Sequence, residues 1–150
     1  VHFRSKEHVL FEIIRAGHRS SLDALADVEP EGGGEGGATA HLRTLVRRFV
    51  AWHARHHVVA RVCQYELSAL SPAHYAEIRE LRRQSTATFQ DAVVRGVAER
   101  SFVDVDVHRV VRAMLSLGVD LVRWYRADGA DTPEQLGEFY ADLAVGMVTT

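Results

Sequence analysis

From Ser5 onward the apolar residues recur with a spacing near 3.6, and no stretch alternates apolar and polar residues for long enough to make a convincing strand. That periodicity restricts the chain to packed helices. Its three prolines, Pro30, Pro72 and Pro133, fall between periodic segments, where a residue without a backbone N–H marks a boundary. The run EPEGGGEGGA, residues 29–38, holds five glycines among acids. It has neither the backbone stiffness for a helix nor side chains to bury, so it is expected as a mobile surface loop.

Six helices follow from the pattern. The first opens at Ser5 as N-cap, with Glu7 near the positive end of the helix dipole, and runs to about Val28 through Val9, Leu10, Ile13, Ile14, Leu22 and Leu25. The second spans about Ala38 to His56 and presents Leu42, Leu45, Val46, Phe49, Val50 and His53. A third, Val58 to Leu70, follows almost without a linker. Ser71-Pro72 restarts the chain as N-cap and first helical residue of a long fourth helix, about 72–100. Asp104 or Asp106 caps the fifth, which reaches about Tyr125. After a turn at Gly129, Thr132-Pro133-Glu134-Gln135 supplies a capping box for the sixth.

The fifth and sixth helices carry more apolar positions than one core-facing stripe requires. A helix apolar on two sides is buried on two sides. Two such helices from each of two copies make a four-helix interface with two-fold symmetry, so a homodimer is expected. The alternative is that both helices are simply central in a monomer.

A chain of 150 residues suits one domain, and 47% hydrophobic with 25% charged residues suits a soluble one. The balance of 18 basic against 20 acidic residues argues against a stand-alone nucleic-acid binder. The single cysteine, Cys63, excludes an intrachain disulfide and fits a reducing cytoplasm. No apolar run approaches the ~18 residues that span a bilayer, so no membrane partner is expected.

The order His2-Phe3-x-Ser5-Lys6-Glu7-x-x-Leu10 resembles the junction in TetR-family transcriptional regulators. There an aromatic-x-His-Phe stretch ends the recognition helix, and Ser-Lys-Glu opens the helix that joins the DNA-binding head to the effector domain. The resemblance implies an all-α, six-helix ligand-binding and dimerisation domain over residues 5–150. Residues 1–4 would then be the end of a missing N-terminal helix-turn-helix domain through which the dimer binds operator DNA. His2 would belong to the end of the recognition helix, where the family packs or contacts the DNA backbone, and Lys6 would reach a phosphate. A second stretch, Asp120-Leu-Val-Arg-Trp124-Tyr125-Arg126 followed by Gly129, Thr132-Pro133-Glu134 and Tyr140-Ala-Asp142-Leu143, looks like the C-terminal region of TetR-family regulators of fatty-acid and steroid degradation. Such regulators commonly sense acyl-CoA thioesters.

The chemistry offered is that of a binding cavity. No Gly-x-Ser-x-Gly elbow, phosphate loop, Cys-x-x-Cys or His-Glu-x-x-His occurs, so neither an enzyme nor a bound cofactor is expected. His53, His56 and His57 share a helix end, but acids are sparse nearby and Cys63 lies beyond a helix break, so no metal site is expected. Apolar residues mixed with a few polar ones suit a pocket between helices. Phe49, Trp52, His53 and His56 on the second helix, Cys63 and Glu66 on the third, and Met114, Leu117, Asp120 and Leu121 on the fifth are the candidates. Glu66 and Asp120 are expected in apolar settings, where an acid needs an Arg or a polar ligand group. Gly118, inside a helix, costs roughly 1 kcal/mol against Ala, which a close neighbour or ligand would explain. For an acyl-CoA, Arg123 and Arg126 would meet the phosphates, and Trp124 and Tyr125 would stack on adenine or line an acyl tunnel. Arg79, Arg82 and Arg83 are a second basic cluster, though a charge run on a long helix is more often a solvated face. The expected function is a ligand-responsive transcriptional regulator, a repressor controlled by a small apolar effector such as an acyl-CoA. The alternative is a helical interaction module without a small-molecule site.

Overall fold

The computed structural model describes residues 5–29 and 36–150. His2 and most of the glycine-rich run lie outside the described residues. The described chain is all-helical: α1 Lys6–Ala26, α2 Gly37–Arg55, α3 His57–Tyr65, α4 Pro72–Ala98, α5 Val107–Asp120 and α6 Pro133–Val148, with 3-10 turns at Leu67–Ala69 and Leu121–Arg123.

The expected caps form. The Ser5 hydroxyl accepts from the His8 N–H at 3.1 Å, and that of Ser71 accepts from the His74 N–H at 3.3 Å. Asp106 rather than Asp104 caps α5, accepting from the Arg109 N–H at 3.1 Å. Thr132 and Gln135 make the reciprocal capping box of α6. Two helices end earlier than periodicity suggests. α3 stops at Tyr65 and is followed by a 3-10 turn, Leu67–Ala69, and Ser71, ahead of Pro72, is extended as the N-cap of α4. α5 stops at Asp120, and the following 3-10 turn redirects the chain.

α2 is the central element, burying Leu42, Leu45, Val46, Phe49, Val50, Trp52 and His53. Around it, Phe89 and Val93 of α4, Val111 and Met114 of α5, and Leu136, Ala141, Ala144 and Val148 of α6 close the main core. A smaller cluster of Phe11, Ile14, Cys63, Leu70 and Ile78 joins α1, α3 and α4. Ion pairs Arg43–Asp142 at 2.6 Å, Arg47–Glu138 at 2.9 Å and Arg55–Glu134 lash α6 along α2. Exposed pairs of this kind add little stability each, so apolar burial holds the helices together. Gly118 is explained by α2: a Cβ there would sit 2.7 Å from the Phe49 ring.

The start of α1 is tied to the start of α4. The Glu7 carboxylate accepts from the Ser71 N–H at 2.7 Å and meets His74 Nδ1 at 2.8 Å. The His74 ring stacks on Phe11 with centroids 3.8 Å apart. Glu7 therefore does more than answer a helix dipole. Its acidity is strengthened, chiefly by the Ser71 N–H and then by His74.

Candidate functional site

Between the two cores lies a cavity of about 100 Å³ to which α1 through α5 all contribute. Phe49, Trp52, Leu115 and Val119 make its apolar wall, with Gly17, His18 and Ser21 from α1, Cys63 and Gln64 from α3, and Arg82, Ser85 and Thr86 from α4. Gly17 is needed where α1 meets α3: a Cβ would stand 2.7 Å from the Cys63 sulfur and 3.0 Å from a Val59 methyl.

Several of the polar groups are committed within the helices themselves or to a neighbouring hydroxyl. His53 Nδ1 donates to the Phe49 carbonyl at 2.8 Å, and His18 Nδ1 bonds the Ile14 carbonyl at 2.9 Å. Trp52 Nε1 donates to the Ser20 hydroxyl at 2.9 Å. Burial pushes the His53 pKa down to about 4, so the ring is neutral at pH 7, and with Nδ1 carrying the proton its Nε2 is left as an acceptor. His18 shifts down for the same cause. Burial pushes the Cys63 thiol up to about 11, so it is no nucleophile at neutral pH.

Arg82 stands apart. Its Nη2 donates to Gln64 Oε1 at 3.3 Å, while Nη1 is shielded from solvent and has no hydrogen-bond partner. A second, more superficial cleft of about 280 Å³ adjoins the cavity, sharing Arg82, Thr86, Leu115 and Val119 with it and adding His108, Arg112 and Ser116.

Of the residues nominated from sequence, Phe49, Trp52, His53 and Cys63 line the cavity together. His56 is exposed beside it, its ring 5.0 Å from that of Trp52. Glu66 is exposed at the end of α3. Asp120 is also at the surface, where Arg123 pairs with both its carboxylate oxygens at 3.1 and 3.0 Å. Neither acid has the apolar setting expected of it. Met114 and Leu121 are buried in the main core, and Leu117 is turned outward. The 3-10 turn after α5 splits the aromatic pair: Tyr125 is buried against His57, while Trp124 is 42% exposed. Arg126 bonds Asp128 at the surface. Lys6 is exposed at the first turn of α1. His57 Nδ1 bonds the Ala54 carbonyl, so the three clustered histidines point to different tasks.

His18, Ser21, Gln64, Arg82, Ser85 and Thr86 were not among those nominated. A signal for several exists in the sequence. Ile78, Arg82, Ser85, Phe89 and Val93 follow one another at steps of three and four, so Arg82 and Ser85, half-buried, share the inward stripe of Ile78, Phe89 and Val93 and not the solvated face expected for the arginine cluster. Ser21 likewise interrupts the stripe Phe11, Ile14, Gly17, Leu25.

A family model described as "Tetracyclin repressor-like, C-terminal domain" matches residues 35–148. The chain belongs to this family. It is 29% identical to the HTH-type transcriptional repressor KstR2 of Mycolicibacterium smegmatis over 162 residues, an alignment that covers 99% of this chain and 72% of that protein. A crystal structure of a regulatory protein of the tetR family from Rhodococcus RHA1 is similar at 34% identity with a TM-score of 0.90, covering 99% of this chain and 76% of that one. The structure of KstR2 of Mycobacterium tuberculosis is similar at 25% identity with a TM-score of 0.84, again covering 99% and 76%. These relatives are transcriptional regulators, and the chain is a transcriptional regulator of the TetR family rather than an enzyme.

Proposed function

We propose that the chain is the effector-binding and dimerisation part of a ligand-responsive repressor. The observation that carries this reading is the cavity itself, walled by five helices and touched by the middle of α1 through Gly17, His18 and Ser21. A ligand that fits only when α1 shifts would bias how α1 presents whatever precedes it. Operator DNA, bound through a helix-turn-helix joined ahead of α1, would weaken ligand binding by the same factor. A ~100-fold preference for one state supplies about 2.7 kcal/mol, enough to move a balanced equilibrium decisively.

The effector on this reading is a small, mainly apolar molecule, with an acyl-CoA the leading candidate. The fold of AibR, solved with isovaleryl coenzyme A and operator DNA, supports that choice at 21% identity and a TM-score of 0.77. Phe49, Trp52, His53 and Cys63 would contact the apolar part. Lys6, exposed on the first turn of α1, would contact a DNA phosphate in the assembled regulator.

The homodimer belongs to the same proposal. α6 packs one face on α2, while Phe139 is 60% and Leu143 42% exposed one turn apart on another face. Leu117 of α5 adds to the uncovered apolar surface. Pairing these helices with those of a second copy would cover it.

A thermal-shift screen of the chain against acyl-CoAs, free fatty acids and planar drugs tests the effector. At least one apolar compound should raise the melting temperature. A uniform null would leave a dimerisation module without a small-molecule site.

A further inference from the structure

The linings of the cavity and of the adjoining cleft contain two arginines and three histidines, and no carboxylate. Several arginines elsewhere, Arg15, Arg43, Arg47, Arg83 and Arg123, each meet an acid, while Arg61 donates to the Val122 carbonyl. Among the described residues Arg82 bonds only a neutral amide, Gln64, and Arg112 bonds only His108, whose Nε2 it meets at 3.0 Å. Arg82 sits where the two spaces meet, on the inward stripe of α4, with Nη1 sealed from water and unpartnered. A buried N–H donor without an acceptor is unfavourable, and an unbalanced charge there more so. An apolar side chain would serve packing at that stripe position without either cost. The arrangement makes sense if an acceptor arrives with the ligand.

We propose that the site takes an anionic amphiphile. Its short apolar body fills the inner cavity between Phe49, Trp52 and Leu115, and its anionic oxygens accept from Arg82 at the junction. Any further negative charge lies along Arg112 in the outer cleft. The inner volume of about 100 Å³ limits the apolar body, since an apolar cavity of ~150 Å³ takes up benzene. The carboxylate of a short acid meets both limits, since its oxygens lie directly beside the apolar body, whereas the phosphates of a coenzyme A thioester stand a whole pantetheine arm away from the acyl group. The inference rests on the effector reading above and narrows it.

The test uses titration calorimetry and thermal melting of the 150-residue chain with pentanoate, its neutral isostere pentanamide, and pentanoyl-CoA. Pentanoate should bind the parent chain, and pentanamide should bind at least about 10-fold more weakly. Arg82→Met should weaken pentanoate about 10- to 100-fold, the range expected for a lost charge-assisted hydrogen bond. Arg112→Ala should leave pentanoate binding little changed, and pentanoyl-CoA that binds more tightly than pentanoate and is indifferent to Arg82→Met overturns the proposal. Without ligand, Arg82→Met should melt at or above the parent, because the orphaned donor is gone. Pentanamide binding as tightly as the anions, with Arg82→Met indifferent, overturns the anion proposal while leaving the effector cavity standing. Binding of nothing in the panel, together with a null in the wider screen, removes both. An Arg82→Met variant that melts well below the parent shows a structural arginine and also overturns the proposal.

Discussion

Gly17 of α1 faces Cys63 of α3 at a distance that leaves no room for a methyl group: a Cβ on Gly17 would stand 2.7 Å from the sulfur. The contact sits at the cavity wall, so it sets both packing and volume. Gly17→Ala gains about 1 kcal/mol of helix propensity against an overpacking cost of about 1–3 kcal/mol. A net loss of up to about 2 kcal/mol in urea unfolding is expected. Cys63→Ala should remove most of that loss. If Gly17→Ala costs the same in both backgrounds, the two residues are not in conflict as described.

His53 makes stability depend on pH. Its folded pKa, near 4, lies below the ordinary 6.5, so the unfolded chain takes up a proton that the folded chain refuses. Stability is then full above pH 6.5 and is lost as the pH falls toward 4. Over the first 1.5 units below 6.5 the loss is up to about 2 kcal/mol, with His18 adding in the same direction. Denaturation at pH 7, 6 and 5 should show this slope, and His53→Gln should flatten it. An unchanged slope would place the pH dependence elsewhere.

Glu7 is expected to hold two helix starts together. Glu7→Gln keeps the size but gives up the charge that Ser71 and His74 meet. Amide hydrogen exchange should quicken at Ser71 and in the first turn of α1, with the rest of the chain unaffected. Because its folded acidity is strengthened, the carboxylate contributes stability above the unfolded value near 4.5, and the contribution fades as pH falls through the lower folded value. The variant should lack that acid-side share. Exchange rates identical to the parent would show that the clamp is idle.

Phe139 and Leu143 test the proposed dimer. The pair Phe139→Arg and Leu143→Glu places charge on surface that is largely uncovered in the subunit. Sedimentation at micromolar concentration should then change from dimer to monomer, with helical content unaltered. A parent chain that sediments as a monomer would remove the interface.

The helices were readable because each carries its own punctuation, from Ser5 to the Thr132-Gln135 box, and because local spacing decides which face is apolar. The site was readable only where an aromatic or soft residue lay in that stripe, as with Phe49, Trp52 and Cys63. Arg82 was hidden by its neighbours: with Arg79 and Arg83 beside it, charge outweighed position, although four residues from Ile78 and seven from Phe89 is an inward place. Asp120 to Arg126 misled for the opposite reason. Periodicity carried the helix through to Tyr125, whereas the chain leaves α-helical geometry after Asp120 and turns Arg123 and Trp124 outward.

The clamp at Glu7 and the cavity contact at Gly17 lie ten residues apart on one rigid rod, roughly 15 Å. A ligand that wedges against Gly17 thus works like a hand on a seesaw whose end is bolted to α4. Either the bolt shears, freeing the Lys6 end, or the leading edge of α4 travels with it, and spectroscopic labels on Lys6 and Ala73 would tell one gearing from the other.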